Sequence, residues 1–299
     1  MKEFQLRNEV FNWLKNLTLF YDDVLPRTVL EKGFVYQGQR LTLVGPSGIW
    51  KPKIMDLPIS ITTTCNSPYS DSFTPEGLLN YKYRGTNPNH SDNIGLRELM
   101  LKKIPLVYFH CIVPGKYLAT WPVYIMGDDI NSLTFTVAVD DHSYLEKETA
   151  DKAFDSLSDL HRRTYLTSMV KYRLHQRSFR ERVIAAYHNQ CTLCKLKHQE
   201  LLDAAHIIPD KEELGQPIIQ NGLSLCKIHH AAFDKNILGI TPDYIIKVRE
   251  DVLEEIDGPM LKYGLQSLEN NKIILPRNKN FWPDRDRLAM RFDQFISRA

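Results

Sequence analysis

Apolar positions in the first 145 residues fall mainly in short runs between turns that contain Gly, Pro, Asn or Asp. These runs are FVYQG, LTLVG, ISITTT, LVYFHCIV, YLATWPVYIM and LTFTVAVD. Such a pattern is typical of β-strands joined by tight turns. Helical spacing of apolar residues is found at residues 3–19 and in NIGLRELMLKK. We therefore expect residues 1–145 to form a β-rich domain, a curled mixed sheet with one or two flanking helices.

The pattern changes after residue 145. An acidic segment, VDDHSYLEKETADKAFDSLSDL, precedes a long stretch with helical spacing that ends in QRSFRERVIAAYHNQC. The C-terminal part predicts a pair of hairpin strands and a final amphipathic helix from about Asp284. We expect a helical, basic linker over residues 146–174 and a second domain over residues 175–299. The chain as a whole is predicted to be of the α+β class.

Positive charge is concentrated in one segment of this predicted helix. The formal net charge of the whole chain is only +2, whereas residues 161–182 hold seven basic residues against one acid, Glu181. The basic residues are Arg162, Arg163, Lys171, Arg173, Arg177, Arg180 and Arg182. A local excess of this kind suits contacts with phosphates, which we expect from Arg173, Arg177 and Arg180. The alternative is a solvated helix face with no binding role.

Two pairs of residues have the spacing of metal knuckles. Cys191 and Cys194 form a C-x-x-C pair in CTLC, and Cys226 and His229 form a C-x-x-H pair about thirty residues later. Two short turns of this kind can supply four tetrahedral ligands to one structural Zn²⁺. His198 is an alternative to His229 as the fourth ligand.

A second set of residues lies between and directly after the knuckles. His206 ends the apolar run LLDAAHII, Asn221 begins NGLSLC, and His230 follows the second knuckle. A neutral imidazole near pH 7 can take a proton from water, as hydrolysis of a phosphodiester requires. Because His229 and His230 are adjacent, their roles as zinc ligand and catalytic residue are exchangeable at this stage. A zinc-bearing DNA-binding protein without catalysis is the alternative outside the enzyme class.

The motifs AAHI-x-P and NGL-x-LC-x-x-HH-x-x-FD make residues 175–240 resemble HNH endonucleases of the McrA-like, modification-dependent restriction type. The resemblance implies a zinc-stapled ββα-metal fold. It also implies that His206 is the general base, that Asn221 holds the ββα loop so that the base is oriented, and that His230 binds a catalytic divalent ion.

The chain departs from many HNH enzymes at one position. Where they have Asp or His directly before the base as a second metal ligand, this chain has Ala205. His230 and Asp234 are four residues apart and share one face of a predicted helix, so Asp234 is our candidate for the second ligand. Asn221 and Asp203 are the alternatives. A site with few protein ligands suits Mg²⁺, and Mn²⁺ or Ni²⁺ would tolerate the histidine.

A β-rich domain followed by an HNH domain resembles modification-dependent restriction endonucleases with a PUA-like or SRA-like N-terminal domain. Recognition of a modified base requires a pocket with an aromatic face and polar groups for the base edge. The segments GIWKP and NYKYRGTNPNHSDN are unusually polar and aromatic for turns. We expect Trp50, Tyr83 and Arg84 to contact DNA, the last two from a loop that nothing structural obviously needs. Each aromatic ring could instead belong to the core.

The sequence therefore predicts a metal-dependent DNA endonuclease that hydrolyses phosphodiester bonds, a restriction enzyme for modified double-stranded DNA. An HNH nuclease that recognises unmodified sequence or DNA structure is the alternative. A charged N-terminus without a signal peptide and the lack of an eighteen-residue apolar run predict a cytoplasmic protein without membrane contact. Cys65 and Cys111 are then expected to be buried thiols. Cleavage of both strands suggests a homodimer.

Overall fold

The computed structural model describes residues 2–21, 24–63, 65, 78–140, 157–256 and 258–297, and only the backbone of residues 2, 157–161, 171–173 and 175. The acidic segment predicted to begin the linker, residues 141–156, lies outside the described residues. The chain divides into two compact units, Met1–Leu174 and His175–Ala299. The boundary lies within the long helix α4.

The first unit is built around one mixed sheet. Its helices are α1 (Lys2–Tyr21), α2 (Arg27–Lys32), α3 (Ser91–Leu101) and the first part of α4 (Leu157–Ala186). Its strands are β1 (Val24–Pro26), β2 (Phe34–Tyr36), β3 (Gln39–Leu41), β4 (Ile49–Trp50), β5 (Ser60–Thr62), β6 (Leu79–Lys82), β7 (Leu106–Val113), β8 (Lys116–Asp129) and β9 (Thr134–Val139). Over the described residues the sheet order is β4-β5-β7-β8-β9-β6, with β1 paired to β8 and β2–β3 forming a separate hairpin.

Both faces of this sheet carry apolar clusters, which explains why β7 and β8 are apolar almost throughout. Phe109 and Ala119 contribute to one cluster together with Phe11 of α1. Tyr108 and Val123 contribute to the other together with residues of α3. A sheet covered on both faces selects continuous apolar strands in place of strict alternation. The predicted helices at the N-terminus and at NIGLRELMLKK and the β-rich character are confirmed.

Two local expectations for the first unit were wrong. The segment that begins NYKYRG starts as strand β6, which pairs with β9, because Tyr81 and Tyr83 are buried in the core and do not project from a turn. Cys65 and Cys111 form a disulfide and are not free thiols. The parallel pairing of β5 with β7 brings them together, since Thr62 is the register partner of Phe109.

The second unit holds the remaining elements. They are the end of α4, β10 (Leu202–His206), β11 (Gly222–Cys226), α5 (Lys227–Asp234), β12 (Leu238–Ile240), β13 (Ile246–Val248), α6 (Glu250–Glu254), α7 (Pro259–Gly264) and α8 (Arg285–Ile296). Asp284 caps α8 by accepting from the backbone N–H of Arg287, which confirms the predicted start of the final helix. The β12–β13 pair confirms the predicted C-terminal hairpin.

In the described part of the chain, no helix is both long enough and apolar enough to span a membrane.

Candidate active site and metal centre

The strands β10 and β11 and the helix α5 form the scaffold of the site. The strands pair antiparallel, with Leu202 opposite Cys226 and His206 opposite Gly222, and α5 follows β11 directly. A Cβ on Gly222 would lie 2.4 Å from Cγ2 of Val183, so glycine allows the hairpin to pack closely against α4. The structure therefore contains the ββα arrangement that the motif predicted.

Both knuckles bring their ligands to one point. The ligand atoms of Cys191, Cys194, Cys226 and His229 all lie within 4.8 Å of one another. The Nδ1 atom of His229 is 3.4 Å from Sγ of Cys191 and 3.3 Å from Sγ of Cys226. In a tetrahedral zinc site neighbouring ligand atoms are about 3.5–3.8 Å apart, given Zn–S and Zn–N distances of about 2.3 and 2.0 Å. Three thiol sulfurs and one imidazole nitrogen at these separations fit a structural metal ion.

The orientation of His229 decides between the alternatives for the fourth ligand. Its Nε2 atom lies 2.7 Å from the carbonyl oxygen of Gly264, and because a carbonyl only accepts, Nε2 carries the proton. Nδ1 is then left with a lone pair for a metal ion, the arrangement expected of a metal-binding histidine. His198 is exposed and lies beside Glu200. The cluster therefore uses His229 and not His198 or His230.

Asn221 is fully buried and holds together the two ends of the segment that joins β10 to β11. Its Oδ1 accepts from the backbone N–H of Ile208 at 2.9 Å, and its Nδ2 donates to the carbonyl oxygens of Ile208 and Gln216. The backbone N–H of Ile207 donates to the carbonyl of Asn221. These bonds fix the chain directly after His206, as the predicted positioning role requires.

The ring of His206 is held by stacking. It lies parallel to the ring of Phe179, with centroids 4.0 Å apart and an interplanar angle of 18°. Its Nε2 atom is buried and has no hydrogen-bond partner in the described part of the chain. Burial lowers the pKa of His206 from its ordinary value of 6.5. The ring is therefore neutral at pH 7 and able to accept a proton.

His230 projects from α5 between two carboxylates. Its Nδ1 atom is 3.5 Å from Oδ2 of Asp203, and its Nε2 atom is 3.4 Å from Oδ2 of Asp234. The interaction with Asp203, partly opposed by burial, raises the pKa of His230. Ala205 is fully buried, so the position before the base faces the core and offers no ligand. His230 and Asp234 thus lie next to each other at the exposed side of the site, and their binding of an ion stays a prediction.

Asp203, an alternative second ligand in the sequence, lies between His230 and Lys227. Burial alone would raise the pKa of its carboxyl, but the bonds from His230 and Lys227 outweigh burial and hold this pKa well below its usual range. Its Oδ2 accepts from Nζ of Lys227 at 3.1 Å. The available signal was strand periodicity, because Asp203 and Ala205 are two residues apart and therefore share a face of β10.

The basic segment of α4 is largely engaged within the protein. Arg163 is buried and bonds to Asp140. Arg180 bonds to the carboxylate of Glu181 and donates to the carbonyl oxygen of Leu202. Arg177 is half-buried and has interactions of its own, and the side chain of Arg173 lies outside the described residues. Buried carboxylates and carbonyl oxygens thus engage Arg163 and Arg180, and phosphate contacts from Arg173, Arg177 and Arg180 stay a prediction.

Two of the three residues predicted to contact DNA in the first unit, Trp50 and Tyr83, are packed within that unit. Trp50 packs on Gly45 and donates from its indole N–H to the carbonyl of Thr42. Tyr83 is buried, stacks on Phe135 and bonds through its hydroxyl to Asp128. The expectation that nothing structural needs Tyr83 was wrong.

Arg84 is the exception among them. Its guanidinium forms an ion pair with Asp92, and its side chain is 48% exposed. The backbone N–H of Arg84 donates to Oδ1 of the buried Asn93, which fixes the turn after β6. Arg84 is therefore anchored through its backbone and available through its side chain.

Comparison with known proteins identifies part of the chain. Residues 191–241 match the family described as HNH endonuclease, and this segment is an HNH endonuclease domain, as the motifs predicted. No curated protein matches the chain. The matched segment contains the metal cluster together with His206, Asn221 and His230.

Two solved structures show weak similarity. The structure titled "Modification dependent TagI restriction endonuclease" is 14% identical over 80% of this chain and 81% of that chain, with a TM-score of 0.29. The phosphorothioation-dependent type IV restriction endonuclease ScoMcrA is 16% identical over 60% of this chain and 55% of that chain, with a TM-score of 0.22. At such TM-scores the nuclease assignment rests on the family match, and PUA-like or SRA-like character of the first unit stays a prediction.

Proposed function

We propose that this chain is a metal-dependent DNA endonuclease, a restriction enzyme that acts on modified double-stranded DNA. The observation that carries the nuclease part is the arrangement of His206, Asn221 and His230 on one ββα scaffold beside a complete metal-binding cluster. Each side chain has the environment that its role demands. His206 is kept neutral, Asn221 is fully bonded, and His230 faces carboxylates.

His206 acts as the general base. Its stacking on Phe179 fixes the plane of the ring, and its lowered pKa leaves a nitrogen free to take the proton of the attacking water. Asn221 contributes no proton transfer, because its amide is bonded to backbone groups on both sides. It instead prevents the segment after His206 from moving, and so preserves the direction of the base.

His230 and Asp234 are the residues that would hold the catalytic ion. Their N and O atoms are separated by 3.4 Å, and the Asp234 side chain is 57% exposed, so DNA and water can reach the pair. Oxygen and imidazole ligands of this kind suit Mg²⁺, Mn²⁺ or Ni²⁺. When bound, such an ion neutralises charge that develops on the phosphate. The Cys3His cluster is proposed to hold Zn²⁺ and to maintain the fold.

Dependence on modification is supported by the McrA-like signature and by the division of the chain into a β-rich unit and a nuclease unit. One observation favours the second candidate, a nuclease that recognises unmodified sequence or DNA structure. Trp50 and Tyr83, the predicted stacking residues, are both engaged within the first unit. Arg84 remains the predicted DNA contact with an exposed side chain.

A cleavage panel tests both candidates. The full chain is incubated with Mg²⁺, Mn²⁺ or Ni²⁺ and with matched plasmids that contain plain, methylated or hydroxymethylated cytosine, methylated adenine, or phosphorothioate linkages. We expect cleavage of at least one modified plasmid and none of the plain one. Equal cleavage of every plasmid would favour the second candidate, and no cleavage under any condition would contradict the nuclease proposal. Activity that rises with the square of protein concentration would support a dimer.

A further inference from the structure

The two carboxylates beside His230 lie at opposite edges of its ring. Asp203 approaches Nδ1 from strand β10, and Asp234 approaches Nε2 from the next turn of α5. A metal ion bound by an imidazole occupies the lone pair of one nitrogen, and the other nitrogen then carries a proton. The two carboxylates must therefore have different roles, one with the ion and one with the proton.

The charges around Asp203 decide which role it takes. Nζ of Lys227 is 3.1 Å from its Oδ2, and Nε of Arg180 is 3.6 Å from its Oδ1. The backbone N–H of Ala204 also donates to Oδ1. The negative charge of Asp203 is thus already balanced by two cations, which would repel a divalent ion at that edge. Among the described residues, Asp234 meets no such cation.

We propose that Asp203 is a positioning residue that accepts the Nδ1 proton of His230 and thereby leaves Nε2, at the Asp234 edge, to bind the catalytic ion. The part that concerns the ion rests on the proposed function. A carboxylate that orients a metal-binding histidine in this way raises the basicity of the ligand nitrogen and fixes its direction.

The position of Asp203 in β10 explains how this role arises. Side chains two residues apart in a strand point to the same face, so Asp203 lies on the face of the fully buried Ala205, further from the base. Asp203 is half-buried and its backbone is paired with that of Leu225, so the backbone from which its carboxylate projects is held in place. A chain that lacks a ligand before the base therefore depends more strongly on the orientation of its single metal-binding histidine.

The test measures the tautomer of His230 and the affinity for Mn²⁺ separately, neither of which needs cleavage. Long-range ¹H–¹⁵N spectra of the full chain, with no divalent ion added, are recorded at about pH 9, where imidazoles are neutral. The His230 signals are assigned with His230→Gln. Mn²⁺ binding is followed by electron paramagnetic resonance. Asp203→Ala removes the acceptor, whereas Asp203→Asn keeps an acceptor oxygen without the charge.

We expect the wild-type ring to carry its proton on Nδ1 and Asp203→Ala to shift it toward Nε2. Mn²⁺ affinity should fall about 10–100-fold in Asp203→Ala and less in Asp203→Asn. An unchanged tautomer in Asp203→Ala would overturn the proposal. If Mn²⁺ binding is lost while the tautomer stays unchanged, Asp203 is a direct ligand of the ion. Unchanged Mn²⁺ affinity in Asp203→Ala would also overturn it.

Two controls separate this result from misfolding and from failure of the proposed function. Asp251→Ala removes an exposed aspartate that pairs with Arg249 in the same unit, and should change neither readout. Retention of the metal in the Cys3His cluster shows that Asp203→Ala is folded. If the wild-type chain binds no Mn²⁺, the metal-dependent function fails, and the tautomer alone decides the role of Asp203.

Discussion

The nuclease unit and the β-rich unit differ in how closely their structures agree with the functional residues predicted from the sequence. In the nuclease unit, eight of the predicted residues lie in two neighbouring places, four in the Cys3His cluster and four in the ββα site. In the β-rich unit, the aromatic residues singled out as DNA contacts are packed into the protein. The residues of the nuclease unit were predicted from the spacing of Cys and His residues, whereas those of the β-rich unit were predicted from the composition of two segments.

Spacing is informative because short-range backbone geometry enforces it. Residues 191 and 194 share one turn and residues 226 and 229 share the start of one helix, so ligand positions follow from the local chain. An aromatic residue in a polar segment carries no such constraint. Burial of its large apolar surface is the more favourable outcome whenever a sheet face is available.

The largest expected effect is the loss of the metal cluster. Cys226→Ser should release about one zinc ion per chain and unfold the nuclease unit, because metal binding to such sites contributes about 10–16 kcal/mol to folding. Metal content by atomic emission and thermal unfolding measure it. Cys111→Ser, in the disulfide of the other unit, is the matched control and should retain the metal. Full metal content in Cys226→Ser would show that residue spacing did not identify the metal ligands of the nuclease unit.

His206→Ala should reduce cleavage by about 10²–10⁴-fold, since a positioned base contributes that much to the rate. DNA binding in a gel-shift assay should stay within about twofold, because the base acts on water and not on a phosphate. His198→Ala, which removes an exposed histidine of the same unit, should leave cleavage unchanged. Wild-type activity in His206→Ala would reject the assigned base.

Substitutions of Tyr83 test whether this aromatic residue of the β-rich unit stabilises the core or contacts DNA. Tyr83→Ala should lower the free energy of unfolding of the first unit by about 3–5 kcal/mol, the usual cost of removing a buried aromatic ring. Tyr83→Phe keeps the stacking on Phe135 and should leave the affinity of the His206→Ala chain for modified and plain duplexes unchanged. If Tyr83→Phe selectively weakens binding of modified DNA, the hydroxyl of this residue contacts the base after all.

The smallest expected effect is on the acid limb of the pH profile. The base must be neutral, and burial lowers the pKa of His206 below 6.5, so cleavage should persist as pH falls through 6.5 and decline only below it. Phe179→Leu exposes more of the ring and should move this limb toward higher pH. An acid limb that stays in the same place in Phe179→Leu would show that His206 is not held neutral by burial.

The sequence predicted the ligand set, the ββα order and the final helix because each depends on neighbouring residues. It gave no indication of the contacts that Asp203 of β10 makes with His230 and Lys227 of α5. It likewise missed the pairing of Cys65 with Cys111, which follows from the parallel alignment of β5 and β7. Periodicity within one segment shows which face a side chain lies on, but it does not show which distant segment packs against that face.

His229 and His230 are consecutive residues of α5, and the proposed function assigns each of them to a different ion. A single peptide bond thus links a thiolate-rich site to an oxygen-rich one. On that proposal, the catalytic ion is useful only after the structural ion has been bound and the fold is complete. Protein that has been purified in the presence of a strong chelator should stay inactive when magnesium is returned and recover only after zinc is added first.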